Sequence, residues 1–137
     1  MLLIVFSFFV SIFFKAYFLQ FYVVNQKSML PVISPGDRVL VEKISVNINK
    51  FIHMLAIKYP YLFNDSERIN FLKIRDIIIF KHSGNEDIVI KRITKIDGNE
   101  YFVEGDNSLH SVDSRIYGTI AEENIIGRVC WINHLFK

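Results

Sequence analysis

The chain of 137 residues carries 16 Lys and Arg against 14 Asp and Glu, a formal net charge of +2, and 51% of its residues are hydrophobic. That length holds one domain of modest size, and the charge is too small and too evenly spread for a nucleic-acid surface. Three Pro, six Gly and the lack of repeats exclude collagen-like, coiled-coil and disordered chains. Cys130 is alone and cannot form an internal disulfide, and His53, His82, His110 and His134 are scattered without ligand spacing, so no metal site is expected.

The apolar residues are concentrated at the N-terminus. Residues 1–24 hold nine of the 20 aromatics and a single charge, Lys15. No basic residue precedes the run and no small-x-small site follows it, so a retained anchor is expected in place of a cleaved leader. As a helix, residues 1–14 reach about 21 Å, short of the roughly 30 Å hydrocarbon core. The division expected is an anchor over residues 1–15 with Lys15 at the membrane boundary, then an extended segment over residues 17–24. Its shortness leaves two options: a thin anchor that relies on snorkelling and local thinning, or a start upstream of Met1.

Beyond residue 24, β-type runs dominate and define a domain over residues 16–137. They are residues 38–44 (RVLVEKI), 76–81 (DIIIFK), 88–96 (IVIKRITKI), 101–103 and 125–132 (IIGRVCWI). Turn signals bound them at 35–37 (PGD), 83–85 (SGN), 97–99 (DGN) and 105–107 (GDN). A mostly β architecture of barrel or sandwich type is expected. Residues 46–73 break the pattern. FIHMLAIKYPYLF has apolar residues at helical spacing up to Pro60, an insertion that is helical in part and packs on its own domain or touches the membrane surface.

Three segments carry candidate chemistry. Ser28 stands in SMLP, a polar link after an apolar strand, and Pro31 restricts both itself and Leu30, which exposes the hydroxyl. An ordinary turn has the same pattern. Lys91 stands in IVIKRITKI on one strand face with Val89 and Ile93, so its amine lies among apolar neighbours, and desolvation favours the neutral form that a general base requires. A solvated Lys91 on an edge strand is the alternative, because Ile88 and Ile90 make the other face apolar too. The third segment, residues 105–118 (GDNSLHSVDSRIYG), is a solvated loop or a charge network in which Asp106, Asp113 and Arg115 meet Arg92 beside Lys91.

In this order, SMLP with GDRVLVEK, RDIIIFK with IVIKRI, and GDNSLHSVDSRIYG resemble the sequence boxes of the type I signal peptidases, the membrane-bound Ser/Lys leader peptidases, in their bacterial and organellar branch. The resemblance covers nearly all of residues 12–120 apart from the insertion. It implies a signal-peptidase-type β-sheet catalytic domain on the exported side of the cell membrane, a serine endopeptidase activity that removes signal peptides of secreted preproteins after a small residue, and no cofactor. It implies partners of three kinds: signal peptides, the lipid bilayer and the protein secretion machinery, with no nucleic acid. By the same resemblance Ser28 is the nucleophile, Lys91 the general base and Ser111 the hydroxyl that orients the lysine amine, while Arg92, Asp106, Asp113 and Arg115 form supporting ion pairs. Substrate would lie extended between residues 22–24 and 89–90, its small −1 and −3 side chains held by Val24, Met29, Ile33, Val39, Val89 and Ile90, with Tyr22 and Ile79 beside them.

The chain departs from the family at Gln26 and Lys27, where a hydroxyl donor to the oxyanion is usual, and at Val32, which replaces a threonine. The Gly-Asp turn after the lysine strand is reduced to residues 95–98 (KIDG). Two other readings fit the residues: a dedicated maturation or pilin-type Ser/Lys peptidase with one favoured substrate, and an inactive tethered binding protein. Retention of Ser28, Lys91 and Ser111 together speaks against the second.

Overall fold

A computed structural model describes residues 2–59, 61, 71–82 and 87–134, with the side chains of residues 2 and 13–17 outside that description. Helix α1 (Leu2–Tyr17) leads into β1 (Leu19–Val23), β2 (Arg38–Glu42), α2 (Ile44–Lys58), β3 (Ile77–Lys81), β4 (Ile88–Asp97), β5 (Glu100–Glu104), α3 (Ser114–Tyr117), β6 (Ile120–Ala121) and β7 (Ile125–Asn133). The strands form one sheet in the order β1-β2-β7-β3-β4-β5-β6, every neighbouring pair antiparallel. The mostly β architecture expected from the sequence is thus present as one antiparallel sheet.

The sheet buries apolar side chains on both faces, and β3 shows why. Its IIIF run is buried throughout and lies between β7 and β4. Because side chains alternate along a strand, Ile78 and Phe80 join one cluster with Ile93, Tyr101, Val103 and Ile125. Ile77 and Ile79 join the other with Val39, Val41, Met29 and Ile33.

Three expected boundaries move. α1 continues two residues past Lys15, and the extended segment begins at Leu19 instead of Tyr17. No Gly or Pro interrupts that stretch, and a helix satisfies its backbone polar groups internally where the surroundings are apolar. Strand β2 ends at Glu42, whose carboxylate accepts the Ser45 N–H at 3.0 Å. That bond supplies a partner for a first-turn N–H, so α2 begins at Ile44, earlier than the insertion was expected to start. The expected polar loop of residues 105–118 contains helix α3, capped by Asp113, whose side chain accepts the Arg115 N–H. The expected turn at 83–85 and much of the insertion beyond Tyr59 lie outside the described residues. Among the described residues no helix is long and apolar enough to cross a membrane.

Candidate active site

The site forms where three pieces of chain meet: the turn after β1, the first half of β4 and the segment between β5 and α3. The turn is held from both ends. The Val24 N–H donates to the Asp37 carbonyl at 2.9 Å and the Gly36 N–H returns to the Val24 carbonyl at 2.7 Å. Met29 and Ile33 are buried on either side of the cis Leu30–Pro31 bond. Ser28, just before Met29, is carried into the domain and is itself buried. Its carbonyl accepts the Asn107 N–H at 2.9 Å, and the Asn107 side-chain amide donates to the Lys27 carbonyl at 3.2 Å. The Ser28 N–H has no partner among the described residues.

Lys91 reaches Ser28 from β4, its Nζ donating to Ser28 Oγ at 2.6 Å with the lysine only 2% exposed. Burial pushes the amine down to about 8. The Asp113 carboxylate opposes that shift and the Arg115 guanidinium adds to it. An amine near 8 is neutral in a substantial fraction at neutral to mildly alkaline pH, the state in which it can take a proton. The alternative of a solvated Lys91 is excluded by this burial.

Asp113 is fully buried and accepts from five donors: the Gly105 N–H (3.0 Å), Ser111 Oγ (2.6 Å), the Arg115 N–H (3.3 Å), Arg115 Nε (2.8 Å) and Arg115 Nη2 (2.6 Å). Burial raises its carboxyl. The Arg115 guanidinium, the Gly105 N–H and the Ser111 hydroxyl outweigh that rise and hold it well below the usual carboxylate range. Arg92 grips Asp106 through two bonds, Nε to Oδ1 at 2.8 Å and Nη2 to Oδ2 at 2.7 Å, and its Nη1 donates to the Arg75 carbonyl at 2.8 Å.

Two expectations are corrected here. The supporting charges form two separate pairs, Arg92–Asp106 and Arg115–Asp113, in place of one buried network. Each Arg reaches its carboxylate bidentately, which satisfies that acid without a shared partner. Ser111 donates its hydroxyl proton to the Asp113 carboxylate, while the Lys91 amine donates to Ser28, and no hydrogen bond joins Ser111 to Lys91 among the described residues.

Ser28 and Lys91 line a cleft of about 260 Å³ with Gln26, Lys27, Val89 and Tyr117 among its walls. Of the eight residues expected to hold substrate, only Val89 lines it. Val24, Met29, Ile33, Val39, Ile79 and Ile90 are core residues, and Tyr22 packs against them half-buried. These side chains pack in the cluster on the sheet face away from Lys91, where the strand alternation of two places Val39, Ile79 and Ile90.

Sequence reasoning missed three participants. Gly105 has no room for a side chain: a Cβ there would lie 2.6 Å from the Ser28 carbonyl oxygen and overlap the Ser111 hydroxyl. Asn107 pins the backbone of the serine turn. Tyr117 lines the cleft, packs tilted on His82 with ring centroids 4.5 Å apart, and keeps a buried hydroxyl without a partner among the described residues, its phenol pushed up to about 12 by burial and by Asp113. The GDN triplet was the signal for the first two, since a Gly before Asp and Asn marks a tight backbone approach.

The sequence profile of the family described as signal peptidase, peptidase S26, matches residues 1–100 and 93–133 of the chain. Over 78 residues, 56% of the chain and 22% of the relative, it is 36% identical to Signal peptidase I of Buchnera aphidicola subsp. Baizongia pistaciae (strain Bp). Over 44 residues, 30% of the chain and 26% of the relative, it is 46% identical to Signal peptidase I V of Bacillus subtilis (strain 168). The matched stretches thus span about a quarter of the length of these curated relatives.

Proposed function

The chain belongs to the signal peptidase family, peptidase S26, and from that premise we propose that it is a membrane-bound serine endopeptidase that removes N-terminal signal peptides from exported preproteins. The observation that carries this reading is the 2.6 Å contact between Ser28 Oγ and a buried Lys91 amine held near 8. Neutral Lys91 takes the Ser28 proton as Oγ bonds to the carbonyl carbon of the residue before the scissile bond. The lysine then returns that proton to the departing amine as the C–N bond breaks, leaving an ester on Ser28 that water hydrolyses with Lys91 again as base. The unpartnered Ser28 N–H is the donor available to the oxyanion, and the Gln26 amide is the side chain nearest in sequence to supply a second. Asp113 and Ser111 support the dyad indirectly, by fixing the loop that abuts Ser28.

Strand pairing supports an extended substrate. β1 is the sheet's edge, and β4 pairs with β5 only from Arg92 onward, which leaves residues 88–90 with one side free among the described residues. A peptide added there would run past Val89 to Ser28. We assign α1 as the anchor in the plasma membrane, with the catalytic domain on the exported side near the secretion machinery. Its 16 residues reach about 24 Å, so the bilayer thins or the ends snorkel to accommodate it.

The test is cleavage of a preprotein after a small residue by membranes or a detergent extract holding the chain. Ser28→Ala and Lys91→Ala are each expected to abolish it, and full cleavage by either variant overturns the dyad. Several preproteins run in parallel separate a general enzyme from one specialised by Gln26 and Lys27.

A further inference from the structure

Helix α2 turns most of its large apolar side chains outward. A helix on a globular domain normally turns its apolar stripe to the core, yet the face of α2 that packs on β7 and on the 3-10 turn Glu122–Asn124 sets polar residues beside one buried core side chain, Val46. Ser45 and Asn49 are buried, and Asn49 Oδ1 accepts the Phe71 N–H at 3.0 Å. His53 Nε2 meets Asn99 Nδ2 at 2.6 Å, and Lys50 donates to the carbonyls of Glu123 and Ile125. The outer face carries Ile44, Ile48, Phe51, Met54 and Ile57, which are 37% to 70% exposed. Ile44, Ile48 and Phe51 follow the i, i+4, i+7 spacing of one stripe.

We propose that this outer face is a second membrane contact, an interfacial helix lying on anionic lipid beside the anchor. The inference rests on reading α1 as that anchor. Three observations select lipid as the occupant. The Lys43 N–H donates to the Phe18 carbonyl at 2.9 Å, so α2 starts at the residue that follows α1 and the stripe continues from the point where the chain leaves the bilayer. Residues 43–64 hold Lys43 and Lys58 besides the inward-turned Lys50, and no Asp or Glu, a charge balance that suits an anionic surface. At its C-terminal end the Lys58 amine lies over the Tyr59 ring, 5.4 Å from the centroid, and Tyr61 is exposed, the mixed aromatic and cationic chemistry that settles at headgroup level.

The test uses the full chain with Trp131→Phe and Phe51→Trp, which leaves one tryptophan as reporter on an exposed position. Vesicles of phosphatidylglycerol and phosphatidylcholine carry bromine on shallow acyl positions, and flotation follows the bound chain. The expected result is blue-shifted reporter emission quenched about twofold, because such a helix sinks its apolar face about 5–10 Å into the headgroup and acyl boundary. Equal quenching in pure phosphatidylcholine overturns the anionic preference. A chain that floats with its reporter unquenched overturns the α2 contact and spares the anchor. A chain that does not float overturns the anchor and this inference with it.

Discussion

Lys91 on β4 and Lys50 on α2 are both lowered from the ordinary lysine value by burial, and both line clefts. The cleft at Lys50, about 430 Å³, is the larger of the two. What separates them is the company each amine keeps. Lys50 donates to two backbone carbonyls and lies near Glu122 and Glu123, which raise it again. Every one of those groups favours the cation. Lys91 has a hydroxyl 2.6 Å away, and the one carboxylate that acts on it, Asp113, is already filled by five other donors. Burial and cleft volume do not distinguish a structural lysine from a candidate base; a partner that can surrender a proton does.

The sharpest way to break that contrast is to exchange the amine for a cation that cannot lose its proton. Lys91→Arg keeps the charge and much of the length, and an arginine stays protonated at every working pH. Cleavage is expected to fall on the order of 10³-fold or more, as it should for Lys91→Ala, in a steady-state assay on a preprotein. If Lys91→Arg retains near-native activity, the amine acts as a charge and the base assignment is lost.

Next in size is the carboxylate that separates the two environments. Asp113→Ala strands the Gly105 N–H in a buried place and frees the segment that packs against Ser28. A loss of about 1–3 kcal/mol in urea unfolding is expected, the range for leaving a buried backbone donor without its acceptor. Asp113 also predicts an acid limb of stability. Its carboxyl lies below its unfolded value, so its contribution is present above the unfolded value near 4 and is lost as pH falls toward the folded one.

The pH dependence of cleavage tests the lysine itself. If only neutral Lys91 accepts the serine proton, kcat/KM should rise about tenfold per pH unit below 8 and level off above it. A profile flat from pH 6 to 9 sinks this reading. Stability shifts in the matching direction: the unfolded lysine binds its proton up to about 10.5 and the folded one only to about 8, so folding gains stability as pH rises between the two.

How much of this was legible beforehand follows from the same physics. The alternation of IVIKRITKI placed Lys91 on a face with Val89 and Ile93, and the fold keeps it there because a strand's period of two cannot slip without turning every side chain over. Ser28 was singled out by the family resemblance, because SMLP by itself has the pattern of an ordinary turn. The five β runs were found within about two residues because β-branched stretches between turn signals have few other uses. Which apolar residues line the cleft beside the dyad was not legible. Met29, Ile33, Val39 and Ile79 are apolar and close to the motifs in sequence, and nothing local distinguishes a side chain that lines a groove from one that closes a core. The pairing of charges was hidden for a related reason: Arg92 and Arg115 each had two acids within reach along the chain, and only three-dimensional placement assigns Asp106 to one and Asp113 to the other.

The smallest expected effect is the control that makes the contrast quantitative. Lys50→Met keeps the aliphatic stem in place and removes two hydrogen bonds to carbonyls, one of them in an exposed setting. Each such bond contributes about 1 kcal/mol at most when water can replace it, and the desolvation of the amine is relieved at the same time. The unfolding midpoint is therefore expected to move by less than about 1 kcal/mol, with cleavage and its pH profile unchanged. Should Lys50→Met instead lower kcat/KM by as much as Lys91→Arg, the larger cleft would have to be drawn into the reaction, and hydroxyl company would no longer be the feature that singles out Lys91.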